Sequence, residues 1–146
     1  MLRPKEKSMH DNPFTGSWTY RSFLNDPDIG TAFNDLEFGR GTIVITEAPM
    51  AVLSGTIGGP GWSLALKGSR AYGSPMQVRF QGVGVVGGAQ WIYDYEGWLV
   101  PDWPNGVGQV PAIVGSVIRT IPHPGSGPGV VNPAGVVCSF YAVKTA

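Results

Sequence analysis

The sequence predicts an all-β fold, an eight-stranded antiparallel up-and-down β-barrel, and three observations carry that reading. Glycine and proline, 22 and 13 of the 146 residues, are spread through the chain instead of gathered in one linker, so they punctuate a structure. Between them lie runs rich in Val, Ile, Thr, Phe, Tyr and Trp, none with an apolar i, i+3, i+4, i+7 stripe long enough for a helix. The connections are short, so consecutive strands pair as antiparallel neighbours. Strands of this number can tilt and close on themselves, which removes exposed edges and leaves an interior for packed side chains or one small ligand. A two-sheet sandwich is the alternative.

In chain order the expected strands are FTGSWTYRSFL (14–24), FGRGTIVITEA (38–48), AVLSGTIGG (51–59), WSLALKGSRA (62–71), MQVRFQGVGV (76–85), QWIYDYEGWLV (90–100), QVPAIVGSVIRTI (109–121) and GVVCSFYAVK (135–144). The segment NDPDIGTAFND (25–35) is an irregular loop or short helical turn, and PM (49–50) and PG (60–61) are tight turns. Residues 1–12 are expected to be a flexible N-terminal segment and 13–146 a single barrel domain, a length that buries about 70% of the unfolded surface around one core.

Ten basic residues balance ten acidic ones, so no long-range field favours nucleic acid or an anionic membrane. A lone cysteine, Cys138, rules out an intrachain disulfide and fits a reducing compartment; with no apolar h-region near the start and no run of about 18 apolar residues, a soluble, cytoplasmic protein is expected.

The stretch NPFTGSWTYRSF sets Phe14, Gly16 and Trp18 at alternate positions. FTGSWTY resembles the Gly-x-Trp start of the calycin barrels, namely lipocalins, fatty-acid-binding proteins and avidins; the resemblance implies that Trp18 plugs one end of the barrel and that Gly16 lets backbone pass close to the indole. TIVITEAPMAVLSGT is similar to the second and third strands of an avidin, and GWSLALK and VVGGAQ are further avidin-like pieces. The biotin set does not come with the resemblance: where avidins place hydrogen-bonding side chains on the ureido ring, this chain has Tyr20, Leu24, Ile57 and, by strand order, Phe140. Burying amide-like groups without partners costs on the order of 1–3 kcal/mol each, so tight biotin binding is not expected.

Period-two alternation indicates what lines the interior instead. If Trp18 points inward, so do Tyr20, Ser22 and Leu24, and strand order turns Trp91, Tyr93 and Tyr95 inward on the sixth run, making an aromatic-lined cavity. A register slipped by one residue points Asp94 and Glu96 inward and suggests acid–base work. Arg79 alternates with Gln77 and Gln81, either as a solvent face or, turned inward, as a fork that clamps a ligand carboxylate; it is the candidate anion anchor. The candidate ligand-binding residues are thus Tyr20, Ser22, Arg79, Trp91, Tyr93, Tyr95 and Phe140.

His123, in the loop IPHPGSGPGVVNPAG, reads as a surface residue, and with only His10 for company there is no metal-ligand set. Cys138 reads as an inert core thiol and GVGVVGG does not fit a phosphate loop; neither metal nor cofactor is expected. Both parities of the last two strands are largely apolar, so their outer face is expected to be covered by another copy, as a homodimer or homotetramer. These observations support a binding barrel for an apolar molecule bearing a hydroxyl, carbonyl or carboxylate; a small-barrel cyclase or isomerase with acid–base groups among Tyr20, Tyr93, Tyr95, Asp94, Glu96 and Arg79 is the runner-up, and a ligand-free structural role the third.

Overall fold

The computed structural model describes residues 12–48 and 50–146. The flexible segment expected over 1–12 falls, apart from Asn12, outside the described residues. The strands are β1 (Gly16–Leu24), β2 (Glu37–Ala48), β3 (Val52–Gly59), β4 (Trp62–Ala71), β5 (Gln77–Val86), β6 (Ala89–Leu99), β7 (Ala112–Arg119), β8 (His123–Pro124), β9 (Val131–Asn132) and β10 (Val137–Lys144), with one 3-10 turn at Phe33–Leu36. Eight of them form a closed antiparallel barrel in the order β1-β10-β7-β6-β5-β4-β3-β2. Closure comes from β1, which pairs along one side with β2 and along the other with β10, so that Trp18 lies opposite both Ile43 and Lys144. The loop expected between the last two barrel strands contains a separate hairpin, β8 with β9, in the register His123↔Asn132 and Pro124↔Val131. Among the described residues no helix is long and apolar enough to cross a membrane.

Side-chain size along the inward rows divides the interior into two halves. Towards one end the rows present Ile43, Ile45, Leu53, Leu66, Val78 and Phe80, all buried in one cluster with Trp18 and Phe14. Trp18 and Phe14 are fully buried, and the indole Nε1 donates to the Phe14 carbonyl at 2.8 Å, satisfying the one polar atom of the plug. The Lys144 ammonium sits 5.7 Å from the centre of the Trp18 ring. Gly16 has φ +133°, and a Cβ there would meet the Ala146 carbonyl and the Lys144 side chain. The close approach that requires a glycine is therefore that of the C-terminal residues zipped onto Ser17 (Ser17 N to Ala146 O, 3.0 Å; Thr145 N to Ser17 O, 2.8 Å), a correction to the expectation that Gly16 makes room for the indole.

Towards the other end Gly39 on β2 and Gly82 and Gly84 on β5 take inward positions. Gly39 faces the Ser22 hydroxyl, whereas Gly82 and Gly84 are packed by Leu64, with Gly82 also against Tyr95.

On the outer wall a row of side chains runs across neighbouring strands, with Trp98 opposite Val114, Val114 opposite Tyr141 and Tyr141 opposite Arg21. Trp98, Val114 and Tyr141 are exposed. Phe23 is covered from outside by Phe33 of the 3-10 turn, ring centres 4.1 Å apart. Glu37 beside that turn is held by the Arg40 and Arg21 guanidinium groups, which lower its carboxyl to about 2.

The plug is expected to carry much of the stability of its half. Replacing Trp18 with Ala should cost about 3–5 kcal/mol in denaturant unfolding, as for large aromatic residues removed from a core; an unchanged midpoint would remove Trp18 from that role.

Candidate functional site

At the end away from Trp18 the barrel holds a cavity of about 290 Å³. Strand alternation on β1 turns Tyr20 and Ser22 into it; β6 turns in Trp91, Tyr93 and Tyr95; β4 contributes Trp62 and Leu64, and the first turn of β2 contributes Phe38 and Gly39. Arg119, the last residue of β7, and His123 and Asn132 of the β8–β9 hairpin complete the wall.

The polar groups form one continuous chain. Arg119 Nε donates to the Tyr93 hydroxyl at 3.0 Å, and the Tyr93 hydroxyl lies 2.8 Å from His123 Nε2. His123 Nδ1 is 3.0 Å from the Pro124 carbonyl, which can only accept. Nδ1 therefore carries a proton; in the neutral ring Nε2 then accepts from Tyr93, and Tyr93 accepts from Arg119. Arg119 Nη1 also donates to the Pro133 carbonyl at 3.2 Å, tying the loop after β9 to the barrel rim. The guanidinium lies over Phe38, 5.1 Å from the ring centre, and the His123 ring stacks on Trp91 with centres 4.1 Å apart. Burial of His123 under Trp91, only 4% exposed, corrects the expectation of a surface histidine: the short hairpin folds the loop back over the cavity.

Deeper in the cavity the phenols pack by their edges. Tyr20 and Tyr95 meet edge to face at 6.1 Å, and both rest on Phe140, at 5.7 and 6.1 Å. The Tyr95 hydroxyl makes no hydrogen bond to any described residue. Burial pushes the ionisation of Tyr20, Tyr93 and Tyr95 above the ordinary phenol range; for Tyr93 the Arg119 hydrogen bond and charge oppose that rise, and for Tyr20 a Ser22 hydrogen bond does. Cys138, fully buried, has its thiol pushed up by burial as well.

Of the residues singled out from the sequence, the structure gathers Tyr20, Ser22, Trp91, Tyr93 and Tyr95 on the cavity wall, and Phe140 supports Tyr20 and Tyr95 without reaching it. Arg79 is not there. Val78 and Phe80 take the inward positions of β5, so Arg79 points to water, 66% exposed, and donates to Glu96 at 3.1 Å. Asp94 and Glu96 are outside too, bonded to Gln81 and Gln77, so the slipped register does not occur. Arg119 takes the place proposed for Arg79. Sequence reasoning passed over Arg119, His123, Asn132, Phe38 and Trp62. A signal was present for Arg119, since it continues the inward parity of Ile113 and Val117. Among the described residues no group of three or more His, Cys, Asp or Glu side chains is placed to hold a metal ion.

The buried phenols fix the alkaline limit of the fold. Their folded-state pKa lies above the unfolded value of about 10, so the folded chain binds protons more tightly and its stability is complete below that pH and falls as pH rises past it. Ultraviolet titration should show these three phenols ionising only together with loss of the fold; reversible ionisation of all five tyrosines near pH 10 with native circular dichroism would contradict their burial.

Comparison of the chain with protein-family models, with curated proteins and with solved structures gave no match in any of the three.

Proposed function

We propose that this barrel binds one small, flat, largely apolar molecule bearing a hydroxyl, carbonyl or carboxylate, in the manner of an avidin-like member of the calycin barrels but without affinity for biotin. The observation that carries the reading is a cavity plugged at the Trp18 end, walled by aromatic rings and holding its polar groups on one side, the arrangement ligand pockets use to take an apolar body and fix its orientation. Its volume stands at the small end of the usual range for such pockets, about 300–1,000 Å³, which suits a single ring system. Against biotin stand the positions of the ureido set: Leu24 is exposed, and Ile57 and Phe140 are apolar and buried.

The acid–base reading loses Asp94, Glu96 and Arg79, which lie outside the barrel, and keeps the phenols of Tyr20, Tyr93 and Tyr95, with Tyr93 bonded to His123. It requires that a bound molecule be converted as well as held. We also propose that copies of the chain meet through the Trp98–Val114–Tyr141 row, a run of exposed apolar side chains across three neighbouring strands; sedimentation should then give at least twice the monomer mass, and a monomer at micromolar concentration would refute it.

The binding reading is tested by calorimetric titration with biotin and a panel of small aromatic acids, ketones and alcohols, on the wild type and on Leu64→Trp, which fills the cavity from its wall. Saturable binding of panel members by the wild type, lost in a folded Leu64→Trp, is expected. Nanomolar biotin, or binding unaffected by filling the cavity, would overturn it.

A further inference from the structure

The charges around the cavity do not balance. Its wall carries one charged side chain, the Arg119 guanidinium, and no carboxylate. Each of the other described arginines is paired with a glutamate: Arg21 and Arg40 with Glu37, Arg70 with Glu47, and Arg79 with Glu96. Arg119 is only 7% exposed and has no such partner among the described residues. An arginine cannot shed its proton to escape burial, so the cost of holding the cation there must be met by groups around it.

Those groups meet it in part. Nε is used by Tyr93, Nη1 by the Pro133 carbonyl, and one face by the Phe38 ring. The Nη2 amino group has no hydrogen bond to a described residue, and Arg119 lies on the cavity wall. A guanidinium with an amino group unshared in this way, at the wall of an aromatic chamber, matches a carboxylate attached to a flat apolar body.

Resting on the binding reading above, we infer that the molecule this cavity takes is an anion, a small aromatic or unsaturated monocarboxylate, with its carboxylate received by Arg119. One guanidinium, with no second cation of lysine or arginine on the wall, selects a single negative charge over a dianion. The Tyr93 hydroxyl, turned between Arg119 and His123, holds the guanidinium in place.

The test uses benzoate and trans-cinnamate against their methyl esters and benzyl alcohol, with inorganic phosphate as a simple anion, titrated calorimetrically into the full chain at neutral pH. Each acid should bind roughly tenfold or more tightly than its ester, the difference a charge-assisted bond makes. Arg119→Gln should abolish that preference, weakening the acids at least tenfold more than their esters, with near-ultraviolet circular dichroism confirming the fold. Should Arg119→Gln fail to fold, the wild type alone decides: the affinity for cinnamate should fall as pH drops through the acid's own pKa while that for its ester stays level. Esters binding as well as acids would overturn the anion inference and leave the binding reading standing. Phosphate binding as tightly as the acids would overturn the monocarboxylate class. Failure of every probe to bind at millimolar concentration would overturn both readings.

Discussion

A barrel closed by β1 pairing to both β2 and β10 has a fixed lumen, and every second residue of every strand must be accommodated inside it. That geometric constraint governs everything else here. Where the inward rows carry Ile45, Leu53, Val78 and Phe80 under Trp18, the lumen is full and behaves as a core. Beyond them, the rings of Tyr20, Tyr93 and Tyr95 line a cavity instead of closing the lumen. The lumen is thus divided along its axis into a packed half and a half that holds the cavity.

The cavity end also explains the hairpin. His123 and Asn132 belong to a glycine- and proline-rich connection with little apolar content of its own, and what orders it is contact with the barrel rim. Trp91 stacks on the His123 ring, Tyr93 bonds its Nε2, and Arg119 bonds Pro133 from below. The backbone of Arg119 adds bonds to Gly135 and Val136. Side chains that line the cavity therefore also hold its cover, so a molecule that engages Arg119 touches the group that anchors the loop.

Much of this was legible in the sequence because period-two alternation is a local property. The number of barrel strands and the shared parity of Tyr20 with Ser22, and of Trp91 with Tyr93 and Tyr95, follow from counting residues along each run, whereas closure over a sandwich and the inward parity of the sixth run are settled by the assembled barrel. Arg79 illustrates the limit: within VRFQ either parity is chemically sensible, and only the packing of Val78 and Phe80 against the core decides for the apolar pair. His123 was illegible for a different reason. Its burial depends on Trp91 and Tyr93, about thirty residues upstream on another strand, and no local pattern encodes that meeting. Arg119 shows the intermediate case: its parity could be read, but its lack of a carboxylate is a fact of the assembled barrel.

The central claim is the proposal that the half of the lumen away from Trp18 receives a small carboxylate with Arg119 as its anchor. Crystals grown with 4-bromobenzoate test it most directly, because the bromine locates the ring by anomalous scattering independently of any assumption about the pose. The account predicts a bromine peak inside the barrel near Tyr20 and Tyr95, with the carboxylate within hydrogen-bonding distance of Arg119. Bromine confined to the outer wall, or a lumen closed by the Trp62 and Trp91 rings with no space for a guest, would contradict it.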